Sequence, residues 1–114
     1  MKNIILFGSG AFGLKALEYF GNVSVGGGVY ALCDNGCKET GTKYGVLYIP
    51  FEQLIDIYRE YIIIVSTNVS NSREIAEQLL DNDIDDFIIL DKSIWHEMSL
   101  YAPEDYISIL NLNP

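Results

Sequence analysis

The stretch Gly8-Ser9-Gly10-Ala11-Phe12-Gly13 constrains this chain more than any other, because its three glycines lie directly between an apolar run and a helix-forming segment. The run before it, Asn3-Ile4-Ile5-Leu6-Phe7, has the length and composition of a buried strand. The segment after it spaces Ala11, Leu14, Leu17 and Phe20 three apart, on one side of a helix that Gly21 ends. When G-x-G-x-x-G joins a strand to a helix, each glycine has a job. Gly8 makes the tight turn, Gly10 lets the backbone approach a pyrophosphate, and Gly13 lets the helix pack close to the strand. The free N–H groups and partial positive charge of the helix N-terminus then receive the anion without a basic side chain. Ser9, Ala11 and Phe12 complete this candidate loop.

An acidic residue about 20 positions after the last glycine, at the end of the next strand, completes the pattern by accepting hydrogen bonds from a ribose. Asp34 stands there, closing the run Val29-Tyr30-Ala31-Leu32-Cys33, and Asn35 follows it. A carboxylate at that place favours a free ribose 2′-hydroxyl over a 2′-phosphate, and no arginine follows it, so NAD is expected ahead of NADP for a dinucleotide ligand. A plainer reading stays open: the glycines solve a packing problem, and Asp34 is a turn residue leading into Asn35-Gly36. Two other loops fit poorly. A methyl-donor site of the S-adenosylmethionine type wants glycines at alternate positions, where Phe12 stands third, and a triphosphate P-loop needs Gly-Lys-Ser/Thr, where Gly13 is followed by Leu14-Lys15.

Beyond Asp34, strand and helix signals keep alternating. Asn35 to Tyr44 is polar and reads as an irregular connection, Val46 to Ile49 as a third strand, and Pro50 as the start of a short helix with Leu54, Ile55 and Tyr58 on its inner stripe. Tyr61-Ile62-Ile63-Ile64-Val65 is the most apolar run and suits a central parallel strand covered on both faces. A helix from about Ser72 to Leu80 follows, with Asn71 and Glu74 resembling a capping box and Ile75, Leu79 and Leu80 on one face. The fifth strand is Phe87 to Leu90. Such alternation requires right-handed crossovers in one parallel sheet. The expectation is an α/β, Rossmann-like three-layer fold with a parallel sheet of about five strands in the order 3-2-1-4-5. Residues 1–114 would form one domain, with 91–114 as a C-terminal helical extension. Ser66, Thr67 and Asn68 fall at the carboxyl edge of the fourth strand, where they either line the far half of a bound cofactor or make the turn and cap the next helix.

Charge and composition bound the partners. Seven basic and sixteen acidic residues give a net charge of −9, which would repel a phosphate backbone, so nucleic acid is not expected as a partner. No apolar run reaches the roughly 20 residues of a membrane span, and the first apolar run stops at Gly8 without a signal-peptide cleavage pattern, so a cytoplasmic location is expected. Cys33, Cys37 and the single His96 fall short of the about four ligands of a zinc site, so no metal is expected. Asp81, Asp83, Asp85 and Asp86 read as a solvated loop.

The runs ILFGSGAFGLKALEYF, VYALCDN, GVLYIPFEQL and YIIIVST together resemble the small Rossmann-like domains of bacterial polysaccharide-biosynthesis proteins, over about residues 2–90. Such domains are attached to sugar acyltransferases, glycosyltransferases, nucleotide-sugar dehydratases and some sugar methyltransferases. The resemblance implies nucleotide-binding roles for Gly8, Gly10, Gly13 and Asp34, a nucleotide-sugar or NAD as ligand, and a domain that normally belongs to a longer polypeptide. The sequence departs from the pattern at Asn22 to Gly28, a loop in place of a smooth entry to the second strand.

Catalysis by the chain alone is not indicated. Nicotinamide chemistry needs a further part that brings an acid or base to the substrate. The Tyr–Lys pair of short-chain dehydrogenases, with Lys four residues after Tyr, occurs at none of the eight tyrosines. His96 has no placed carboxylate or nucleophile beside it in the pattern. Three functions remain: a nucleotide-binding module of a larger sugar enzyme, the cofactor half of a dehydrogenase or dehydratase completed by another domain or subunit, and a structural or dimerising module with an empty site. Trp95, Tyr101 and Tyr106 would pack the C-terminal helix onto the sheet or onto a second copy.

Overall fold

A computed structural model describes residues 2–21 and 28–112. Its strands are β1 (Asn3–Phe7), β2 (Val29–Cys33), β3 (Gly41–Lys43), β4 (Val46–Ile49), β5 (Tyr61–Val65) and β6 (Phe87–Ile89). Its helices are α1 (Ala11–Phe20), α2 (Phe51–Ile57, continued by one 3-10 turn over Tyr58–Glu60), α3 (Val69–Asp81), α4 (Lys92–Met98) and α5 (Pro103–Leu112). They build one six-stranded sheet in the order β3-β4-β2-β1-β5-β6. All neighbours run parallel except β3, which pairs antiparallel with β4. Counted without β3, the order is the expected 3-2-1-4-5. The loop expected at Asn22 to Gly28 falls largely outside the described residues.

The central strands are apolar on both faces because both faces are covered. In β1, Ile4 and Leu6 join one cluster with Ala16, Leu17 and Phe20 of α1 and with Tyr106 and Ile107 of α5. Ile5 and Phe7 point the other way, to Leu54 of α2 and to Ile75 and Leu79 of α3. Each such side chain, fully buried, contributes roughly 1.5–3 kcal/mol relative to exposure. The aromatic residues of the C-terminal part divide: Tyr106 is buried 6.4 Å from the Phe20 ring, Trp95 packs half-buried on the same cluster, and Tyr101 stays 40% exposed.

Three local expectations change. The inner face of α1 is Gly13, Ala16, Leu17 and Phe20, spaced as one face of a 3.6-residue helix, while Ala11 is exposed. Helix α3 begins earlier than expected, at Val69, because Asn68 and not Asn71 is its cap: the Asn68 side chain accepts the Asn71 N–H at 2.9 Å. Leu80 is accordingly turned outward and 54% exposed. The supposed irregular connection before Val46 contains β3, joined to β4 by the two-residue loop Tyr44-Gly45. Both loop residues have positive φ, 54° and 80°, the geometry of a type I′ hairpin turn. Tyr44 in place of the usual Asn or Asp hides that signal in the sequence.

Candidate functional site

The glycine loop sits at the carboxyl edge of the sheet, above β1, with β2 on one side and β5 on the other. It continues the ladder on both sides: Gly8 N–H donates to the Cys33 carbonyl at 2.8 Å, and Ser66 N–H donates to the Phe7 carbonyl at 2.9 Å. Gly8 has φ +126°, and a Cβ there would run into the Ser66 carbonyl oxygen and lie 2.6 Å from Thr67 Cγ2. At Gly13 a Cβ would overlap the Gly8 carbonyl, 2.7 Å from its carbon. Folding alone therefore requires glycine at 8 and 13.

Gly10 is different. Its φ of −83° suits any residue, and a Cβ there would meet nothing within 4 Å. It is the N-cap of α1, its carbonyl accepts the first helical bond from Leu14 N–H at 2.9 Å, and no side chain caps this end. By contrast, α3 and α4 are capped by Asn68 and Asp91. A helix end left open in this way offers N–H donors and dipole charge to an anion.

Two clefts flank the loop. One, of about 260 Å³, is bordered by Gly8, Ser9, Asp34, Asn35, Thr67 and Glu74 among others. The other, of about 310 Å³, is bordered by Gly10, Ala11, Phe12, Ser66, Thr67 and Asn68, with Asn71 shared between the two. Nine of the ten residues expected at the site border one or other cleft, and the tenth, Gly13, lies behind them against the Gly8 carbonyl. Their roles differ. Ser66 is buried beneath the loop, its hydroxyl donating to the Gly8 carbonyl at 3.5 Å, and Thr67 Oγ1 pairs with Ser72 Oγ at 2.8 Å, so both also hold the turn. Phe12 is 47% exposed over the second cleft. Asn35 is engaged in a reciprocal amide pair with Gln78 of α3, at 2.8 and 2.9 Å, which ties the end of β2 to that helix.

Asp34 is surrounded by donors. The Ser9 hydroxyl donates to one carboxylate oxygen, while Tyr48 OH, at 2.6 Å, and Gly36 N–H, at 2.9 Å, donate to the other. Burial pushes this carboxyl up, but the Ser9, Tyr48 and Gly36 hydrogen bonds and the charge of Lys43 outweigh burial and hold it below the usual carboxylate range. Lys43 Nζ donates to Ser9 Oγ at 2.9 Å, and Tyr44 OH donates to the Ser9 carbonyl at 3.0 Å. Lys43 and Tyr44 were invisible as site residues in the sequence, because only the unrecognised hairpin carries them to the loop, and Tyr48, on the expected third strand, gave no sign that its hydroxyl meets Asp34. Cys33 and Cys37 are both buried and free, their thiols pushed up chiefly by burial and next by the Asp34 charge. Among the described residues no group of three or more His, Cys, Asp or Glu side chains could hold a metal ion.

Comparison with solved structures places this architecture. The crystal structure of RSP, a Rex-family repressor, matches with a TM-score of 0.60 at 18% identity, over 97% of this chain and 63% of that one. The structure of RSP in complex with β-NAD+ and operator DNA matches with a TM-score of 0.56 at 18% identity, over 99% of this chain and 62% of that one. The fold is Rossmann-like. This chain thus spans a little under two thirds of the length of its Rossmann-like neighbours, and no protein-family model and no curated protein matches it. The polysaccharide-biosynthesis setting implied by the sequence resemblance has no counterpart in these neighbours.

One expectation is overturned. Nucleic acid was excluded as a partner on net charge, yet a neighbour of the same fold is a repressor bound to operator DNA. The charge argument fails because −9 is a single sum over the chain, which bears on solubility and non-specific association and does not decide which partner a fold meets. Among the described residues, no helix is long and apolar enough to cross a membrane.

Proposed function

We propose that residues 1–114 form one nucleotide-binding module, with 91–114 as its helical extension, and that its ligand is a nicotinamide dinucleotide, NAD ahead of a nucleotide-sugar. The observation that carries this reading is Gly10. Glycines at 8 and 13 are required by packing, but the fold makes no demand for one at 10, whose missing side chain leaves open space over an uncapped helix end. A pyrophosphate needs that space and those N–H groups.

In this reading the loop from Gly8 to Gly13 holds the pyrophosphate, and Asp34 accepts hydrogen bonds from the ribose, which take the place of the Ser9 hydroxyl. Phe12, Ser66 and Thr67 border the far half of the ligand. Glu74 and Asn35 border the near end. The bound dinucleotide would supply redox chemistry or an allosteric signal; this chain's own residues bind and orient it, and none is assigned as catalytic.

A second reading is favoured by the neighbour that holds β-NAD+ and operator DNA together: the module is the dinucleotide-sensing part of a cytoplasmic regulator, and not of a sugar enzyme. Both readings share the site. A thermal-shift screen with NAD, NADP, UDP and UDP-sugars tests it, since a ligand at about 100 times its Kd adds about 2.7 kcal/mol. A rise with NAD that disappears in Gly10→Val, whose own unfolding temperature stays near that of the parent, supports the site. No rise with any nucleotide refutes it.

A further inference from the structure

The antiparallel hairpin lies outside the alternating strand–helix frame, yet it delivers the only cation seen at the loop among the described residues. Lys43 ends β3, and its ammonium lies 5.4 Å from the Tyr44 ring centroid and 5.3 Å from that of Tyr48, between the two aromatic rings. Such placement over ring faces holds an ammonium in a fixed position. Of its three N–H donors, one goes to Ser9 Oγ. Ser9 stands between opposite charges, accepting from Lys43 and donating to Asp34. The Tyr44 hydroxyl is anchored on the same residue, at the Ser9 carbonyl.

An acid at the end of the second strand ordinarily rejects a 2′-phosphate by like-charge repulsion, because nothing beside it offsets the charge. Here Asp34 already receives three hydrogen bonds and lies in the field of Lys43. We propose that Lys43 is a specificity-determining residue that, with Ser9, receives a phosphate monoester on the ribose, so that the site takes NADP(H) as well as NAD(H). This rests on the nucleotide-binding reading above. A phosphate monoester carries nearly two negative charges at neutral pH and accepts through three oxygens. It would meet the two remaining ammonium donors of Lys43 and the hydroxyl of Ser9, released from Asp34 by a small rotation about its side-chain bond.

The test is a fluorescence titration of the whole chain and of Lys43→Met and Lys43→Arg with NADH and NADPH, after thermal unfolding has verified that the variants fold. Methionine keeps the aliphatic stem on β3, and arginine keeps the charge. The parent should bind both with Kd values within about tenfold of one another, Lys43→Met should weaken NADPH by at least about tenfold and NADH by less than about threefold, and Lys43→Arg should restore NADPH. A parent that binds NADH but holds NADPH more than about tenfold more weakly overturns this proposal while leaving the nucleotide site standing. Equal weakening of both ligands in Lys43→Met overturns it too, because the lysine would then only brace the loop. Binding of neither ligand overturns the nucleotide reading and this proposal together.

Discussion

Replacing Gly10 and Gly13 separately by alanine divides the glycines that build the fold from the one that serves a ligand. At Gly13 the added methyl would overlap the Gly8 carbonyl, a backbone group fixed by the hydrogen bond from Gly8 N–H to Cys33. Overpacking of this kind costs about 1–3 kcal/mol or more, and backbone cannot yield as a side-chain end does. The better helix propensity of alanine returns at most about 1 kcal/mol. The contact is severe, so a net loss of about 2 kcal/mol is expected, which lowers the unfolding temperature of a domain this size by roughly 10 °C. At Gly10 the methyl meets nothing and the backbone is ordinary, so the lost unfolded-state freedom, worth about 0.4–1 kcal/mol, offsets a weaker N-cap of similar size. The net change should stay within about 0.5 kcal/mol. Thermal unfolding followed by circular dichroism measures both. The reasoning is refuted if Gly10→Ala destabilises as much as Gly13→Ala, since glycine at 10 would then be a packing requirement like its neighbours.

Three further outcomes follow from particular contacts. Asn68→Ala removes the cap of α3 and should cost about 1 kcal/mol in urea unfolding, whereas Asn71→Ala, which leaves the accepting side chain in place, should cost far less. Gly45→Ala forces a methyl into a φ of 80° and should cost about 1–2 kcal/mol, also loosening the hairpin that carries Lys43, as amide hydrogen exchange at β3 would show. Tyr48, pushed up to about 12 by burial and then by its bond to Asp34, and Tyr106, pushed up to about 12 by burial and then by Glu97, stay neutral when an unfolded tyrosine ionises at 10.0. Their contribution to stability is therefore whole below pH 10 and lost as pH rises toward 12; ultraviolet titration at the phenolate band should find two tyrosines ionising last, and Tyr48→Phe should leave one.

The parts of the fold most legible in the sequence are those where one physical demand dominates. Tyr61–Val65 is unmistakable because a strand buried on both faces must be apolar at every position, and its limits in the structure are those of the apolar run. Helix starts are less legible: Asn68 and Asn71 are equally good caps by residue type, and only the end of β5 at Val65 decides between them. The hairpin was hidden because Tyr44 adopts a conformation that residue type argues against, held there by its hydroxyl bond to Ser9. The glycine loop and Asp34 form a local pattern joined by one crossover, so the sequence places them together. Tyr48 reaches the same carboxylate, and Lys43 the Ser9 hydroxyl beside it, by a long-range route that no spacing encodes. The charge argument about partners erred in a different way: a net charge is one sum over the chain and does not say which partner a fold meets, as the operator-bound neighbour of the same fold shows.

The most direct test of the account is the backbone amide spectrum of the isotope-labelled chain during titration with NAD+. The account predicts saturable shifts at Gly8 to Gly13, Asp34 to Gly36 and Ser66 to Asn68, the three segments that meet at the carboxyl edge of the sheet. Shifts confined to the opposite edge, around Lys2, Tyr61 and Asp86, where a separate cleft of about 260 Å³ lies, or no shifts at all, would contradict it.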